Sequence, residues 1–170
     1  IARFQVPELT TAHVDLVETV QNRHSKTIIF LGIGCVPGTR NNPLDFETRK
    51  QMLLEEFPDV IVVPIMDKHW DVVVAKYLDD QINFILKPHQ SALLYGSRDS
   101  FGSRYRGKFP TQELEPTAYL SGTVLRESTF NKTIPTREFR AGAIWSAANR
   151  YTPVVTTVDI AIVDYDRKKA

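Results

Sequence analysis

Apolar and polar positions along this chain fall into blocks whose spacing switches between that of strands and that of helices. Ile1 to Gln5 reads as the closing residues of an apolar strand. His13 to Arg23 reads as a helix, because Val14, Val17 and Val20 share one face. Thr27 to Ile33 is a continuous apolar run of strand length, the signature of a parallel strand buried on both faces. The alternation continues with a helix over Phe46 to Phe57, a strand over Val60 to Ile65 and a helix over Trp70 to Ile85. A short strand over Ser91 to Tyr95 ends at Gly96, a helix opens at Ser121, and a last helix covers Thr136 to Tyr151. Two connections stand out. Gly34 to Pro43 is rich in Gly, Pro and Asn, and Ser97 to Pro110 is long and rich in Ser, Arg and Gly. A loop of the second length in a compact domain is usually functional or mobile.

Strand and helix in repeated alternation predict an α/β domain over residues 1–151, built on a doubly wound parallel sheet. Ligands of such sheets bind beyond the carboxyl ends of the strands, where Gln5, Gly34, Asp67 and Gly96 fall. Residues 152–170 break the pattern. Pro153 to Val163 is rich in β-branched residues and Asp164 to Lys168 reads as a turn. This C-terminal β extension is either the opening hairpin of a second β-rich domain or an edge strand of the first.

Bulk properties narrow the function classes. With 170 residues, 42 % of them hydrophobic, the chain can build one full core. A formal net charge of +1, with basic residues scattered, gives no footprint for nucleic acid or an acidic membrane surface. Apolar runs stay far below the roughly 18 residues of a membrane span and no signal peptide is visible, so a cytoplasmic location is expected. Lone Cys35 fits a reducing compartment. Ile1 already sits inside the first strand, so an initiator Met and a few residues are expected upstream.

The chemistry concentrates at two helix starts. Thr10-Thr11-Ala12-His13 follows the first strand, and Leu120-Ser121-Gly122-Thr123-Val124-Leu125-Arg126 opens a helix far downstream. Amides in a first helical turn are unpaired and the helix dipole favours negative charge, so both starts can cradle phosphate. Each has an arginine at hand, Arg3 and Arg126. One site for a polyphosphate and a second phosphate follows. The plainer alternatives are a structural His13, a solvated Arg3, and Ser121 and Thr123 as simple caps, a role compatible with phosphate binding. His24, His69 and His89 show no metal-ligand spacing, so no zinc site is read.

The two segments together resemble the nucleotidyltransferases with (H/T)-x-G-H and I-S-S/G-T-x-x-R motifs. The closer resemblance is to archaeal-type nicotinamide mononucleotide (NMN) adenylyltransferases, in the branch that carries a Nudix hydrolase domain after the transferase. It covers roughly residues 1–150. The resemblance implies a Rossmann-like nucleotidyltransferase fold and transfer of the AMP part of ATP to NMN, giving NAD and pyrophosphate. It implies Thr10, His13 and Arg126 as catalytic residues, with Arg3, Phe4, Gln5, Ser121, Gly122 and Thr123 on the ATP phosphates. Arg49, from Asn42-Pro43-Leu44-Asp45-Phe46-Glu47-Thr48-Arg49, is implied for the acceptor phosphate, with Asp67, Trp70, Ser97 and Arg98 completing the acceptor subsite. Mg2+ would accompany ATP, held largely by water, and a homo-oligomer is implied. No Nudix box occurs in residues 152–170. Three positions depart from the family pattern: Thr10 replaces the first His, Ala12 replaces the motif Gly, and Val74 stands where a nicotinamide-stacking Trp is found, with Trp70 one turn earlier. Two other readings stay open: a related transferase using another phosphorylated acceptor, and a degenerate nucleotide-binding domain beside a hydrolase.

Overall fold

The computed structural model describes residues 2–34, 38–66, 72–97, 102, 104–118, 121–130 and 132–149. Among the described residues nine elements follow in chain order: α1 (Thr11–Gln21), β1 (Ile28–Ile33), α2 (Phe46–Glu56), β2 (Ile61–Met66), α3 (Val72–Ile85), β3 (Leu94–Ser97), β4 (Thr111–Leu114), α4 (Gly122–Phe130) and α5 (Arg137–Asn149). The chain divides into two compact units, Ile1–Thr133 and Ile134–Ala170.

Within the first unit, β1 pairs with β2 in parallel, Ile28 opposite Ile61 and Ile33 opposite Met66. On the other edge of β1, Ala2 makes a parallel bridge to Leu31, donating to the Phe30 carbonyl and accepting from the Gly32 amide, both at 2.9 Å. β2 contains Pro64, which cannot donate to a ladder. Ile61 N–H points to β1, where it bonds the Thr27 carbonyl. By alternation, Pro64 turns its missing donor outward, to an edge where it costs nothing.

β1 is buried on both faces, as its unbroken apolar run requires. Ile29 and Leu31 pack with Phe4, Val17 of α1, Leu53 of α2, Phe57 and Val60. Phe30 points the other way, onto Ile65, Tyr105 and Ala75, Leu78 and Ile82 of α3. Helices thus cover both sides of the β1–β2 pair. The second pair, β3 with β4, is also parallel, with Leu94 opposite Thr111.

The outcome is mixed α/β with parallel pairing, but the described strands form two separate ribbons and not one continuous sheet. After Ala2 the chain leaves β1, and Phe4 adopts a left-handed φ of 41° that no strand can continue. Between β1 and β3 lies a cavity of about 350 Å3, lined by Ala2, Phe4, Ile28, Phe30, Leu93 and Leu94 among others. Most of its lining side chains are apolar, with His24, Ser25, Lys26 and Thr27 among the rest.

The long loop before β4 is anchored. Tyr105 donates to the Asp79 carboxylate of α3, and the other Asp79 oxygen accepts the Lys108 amide at 2.9 Å. Burial and the Asp79 partner push the Tyr105 hydroxyl up to about 12. A side chain at Gly107 would collide with the Tyr105 ring. In the second unit, Thr136 caps α5 by accepting the Phe139 amide at 3.1 Å. The hairpin expected over 152–170 lies outside the described residues. Among the described residues no helix is long and apolar enough to cross a membrane.

Candidate active site

The start of α1 is fixed by a reciprocal cap between Thr10 and His13. Thr10 has extended backbone, φ −82° and ψ 160°, and its hydroxyl accepts the His13 amide at 3.4 Å. In return, Thr10 N–H donates to Nδ1 of His13 at 3.2 Å. This is a capping box with imidazole in the place usually taken by Glu or Gln. It has a chemical consequence. An Nδ1 that accepts a hydrogen bond carries no proton, so the neutral ring carries its proton on Nε2. Burial lowers the His13 pKa from 6.5 and keeps the ring neutral at physiological pH. Nε2 is therefore a donor, on a ring whose other nitrogen is tied down.

Phe4 holds that ring from the side, edge to face at a centroid distance of 4.9 Å and an interplanar angle of 85°. Its left-handed backbone costs on the order of 1–3 kcal/mol and persists only where surroundings enforce it. Here burial of the Phe4 ring and its contact with His13 do so. The same turn delivers Gln5 to the interior, at 4 % exposure. The Gln5 amide grips the Leu44 backbone from both sides, donating to its carbonyl at 2.9 Å and accepting its N–H at 2.8 Å. Its main-chain carbonyl accepts Nη1 of Arg126 at 3.1 Å.

Arg126 is oriented twice, since Nη2 also donates to the Thr123 hydroxyl at 3.0 Å. Ser121 stands at the N-cap of α4, its carbonyl accepting the Leu125 amide at 3.0 Å. Its hydroxyl meets the Val124 amide only at 3.5 Å, a loose contact. At Gly122 an added Cβ would find ordinary contact distances, 3.4 Å to Arg126 and 3.7 Å to Val6. Steric need does not explain that glycine. Phe4 and Gln5, adjacent in sequence, therefore bring together two residues 113 apart, His13 beside one and Arg126 bonded to the other.

Among the described residues Arg49 is the most deeply buried charged side chain, at 2 % exposure. Its Nε donates to the Asp45 carbonyl at 3.0 Å, and Nη1 donates to the carbonyls of Arg3 and Gly32 at 2.8 and 2.9 Å. The guanidinium thus ties α2 to the ends of two neighbouring backbone segments. Arg3 is exposed, and its carbonyl is part of this anchor. Ser97 closes β3 and, with Ala12, lines a cavity of about 230 Å3 beside α1. Val74 is buried on α3. Asp67, Trp70 and Arg98 lie outside the described residues.

Two features escaped the sequence reading. The Arg40 guanidinium lies 5.0 Å from the ring centre of Phe130. Thr117 donates to the Asp15 carboxylate at 2.5 Å, joining the segment after β4 to α1. The first had a faint signal, because Phe130 is one turn beyond Arg126 on the same helix face. The second had none.

The first unit is thus mixed α/β with parallel strand pairing, and Phe4 and Gln5 link the starts of α1 and α4. Comparison with solved structures finds this fold elsewhere. The fold is similar to that of a bifunctional NMN adenylyltransferase/ADP ribose pyrophosphatase from Francisella tularensis, with a TM-score of 0.67 and 22 % sequence identity. The match covers 78 % of this chain and 41 % of that one. A second structure of such a protein from the same organism, complexed with AMP and a Mn ion, gives a TM-score of 0.66 at 21 % identity, with the same coverage. This chain therefore spans about two fifths of the proteins whose fold it shares. No protein-family model and no curated protein matches it.

Proposed function

We propose that this chain is a nucleotidyltransferase domain that transfers the AMP part of ATP to NMN, forming NAD and releasing pyrophosphate. The observation that carries the reading is the convergence at Phe4-Gln5, with a neutral His13 on one side and a doubly held Arg126 on the other. The fold shared with bifunctional adenylyltransferases supports it.

In this reading an NMN phosphate oxygen attacks the α-phosphorus of ATP. A bond forms between that oxygen and phosphorus, the bond to the β-phosphate bridging oxygen breaks, and its electron pair leaves with pyrophosphate. The attacking oxygen is already ionised, so no general base is needed. The protein must align the two groups and compensate charge on the transferring phosphoryl group. Nε2–H of His13 donates to an α-phosphate oxygen, and the Thr10 hydroxyl keeps a proton to offer while its oxygen caps α1. Arg126, with the Ser121, Gly122 and Thr123 start of α4, takes the β- and γ-phosphates.

Arg3 supplies further positive charge at the strand end, and Arg49 fixes the backbone on which Arg3 and Phe4 sit. The acceptor subsite is assigned to Asp67, Trp70, Ser97 and Arg98, with Arg49 behind it, its buried guanidinium bonded to three backbone carbonyls. Among the described residues no cluster of three or more His, Cys, Asp or Glu side chains could hold a metal ion. A divalent ion travelling with ATP is held by its phosphates and water. The fold neighbour was solved with AMP and Mn, in keeping with nucleotide and divalent-ion use.

Val74, aliphatic and buried on α3, favours a second reading in which the acceptor is another phosphorylated compound. A coupled assay with ATP, Mg2+ and NMN decides. NAD formation should fall about a hundredfold or more in His13→Ala, the scale of a lost transition-state donor. His13→Gln keeps an acceptor for the Thr10 amide and so preserves the cap, but should be equally impaired. Turnover untouched by both substitutions removes the assigned role of His13. ATP consumption seen only with other phosphorylated acceptors transfers the case to the second reading.

A further inference from the structure

Arg40 and Phe130 form an exposed pair whose purpose the preceding assignments leave open. With its guanidinium carbon 5.0 Å from the ring centre, Arg40 is held by cation–π attraction, which uses none of its N–H donors. Among the described residues, no hydrogen bond or ion pair to the Arg40 edge is seen. An exposed stack of this kind contributes little to stability, yet it fixes a cation in place.

Where it fixes it matters. Phe130 rises from α4 one turn after Arg126, and side chains four apart on a helix lie one above the other. Arg126 is bound to the Gln5 carbonyl, and the Gln5 side chain grips Leu44, four residues after Arg40. Between Arg40 and Leu44 the chain is tightened by Thr39, whose hydroxyl and carbonyl both accept the Asn42 amide at 3.1 Å. The contacts close a ring, from Gln5 through Leu44 and the loop to Arg40, across to Phe130, and back along α4 to Arg126. Two guanidinium groups therefore stand over neighbouring turns of one helix, held by different elements.

We propose that Arg40 is a second phosphate-binding guanidinium, with Phe130 as its platform, and that with Arg126 it takes the pyrophosphate portion of the nucleotide. The inference rests on the adenylyl-transfer reading. Charge sets the ligand class. A pyrophosphate group carries close to three negative charges at neutral pH, more than one guanidinium offsets.

The test is calorimetric titration of the whole chain with inorganic pyrophosphate and, separately, with AMP. Arg40→Ala should weaken pyrophosphate binding about tenfold, the scale of one charge-assisted hydrogen bond, and leave AMP binding within about twofold. Phe130→Ala should weaken pyrophosphate binding in the same direction. The double variant should bind no worse than Arg40→Ala, because the platform acts only through the arginine. Thermal midpoints of all three should match the wild type. If Arg126→Ala loses pyrophosphate while Arg40→Ala binds as the wild type does, the assignment of Arg40 fails and the transferase reading stands. Equal weakening of AMP and pyrophosphate by Arg40→Ala also overturns it. A wild-type chain that does not bind pyrophosphate overturns both.

Discussion

At the scale of single residues, His13 shows how a helix cap and a chemical group can be one side chain. The sequence places this histidine at a helix start. It does not reveal that Nδ1 is consumed by the Thr10 amide, which fixes the tautomer. Because burial lowers its pKa from 6.5, the folded state prefers the neutral ring. The stabilisation is therefore fully present above pH 6.5 and is lost as pH falls below that value towards the lowered one. Thermal midpoints of the wild type and His13→Gln, compared between pH 7.5 and pH 5, should show a steeper fall for the wild type. Parallel curves would mean that the ring does not titrate in the cap. Arg49 was legible only as the arginine that the resemblance implies for an acceptor phosphate. Its burial was not, because the carbonyls it meets belong to residues 46 and 17 positions away. Nothing in the local spacing announces that Arg3 and Gly32 end side by side.

At the scale of elements, periodicity located eight segments within a few residues, because each is long or strongly apolar. β4 was the exception. Thr111–Leu114 reads Thr-Gln-Glu-Leu, three of its four residues are exposed, and only its pairing with β3 makes it a strand. Pairing between distant segments carries no local signal. The start of α4 was legible as a motif, but the reason for its glycine was not. An added methyl at Gly122 meets ordinary contacts, and Ala is the better helix former by about 0.5–1 kcal/mol. Gly122→Ala should therefore keep or raise the thermal midpoint. If the backbone there approaches phosphate, the same substitution should raise the KM for ATP severalfold while the fold is intact. A variant neutral in both measurements would leave Gly122 without a part in nucleotide binding.

At the scale of the molecule, the alternation of strand and helix foretold α/β architecture with parallel pairing. It did not foretell that the described strands pair as two ribbons, since which strands become neighbours is set by tertiary packing and not by local spacing. The division into ribbons has a consequence of its own. Among the described residues, what couples the two is the apolar cluster on which Phe30 and Leu94 both lie, with Leu78 and Ile82 of α3 at its centre. Ile82→Ala should therefore loosen both ribbons at once, lowering the thermal midpoint by roughly 5 °C or more and quickening hydrogen exchange in β1 and β3 alike. Exchange quickened in one strand alone would mean that the ribbons open independently.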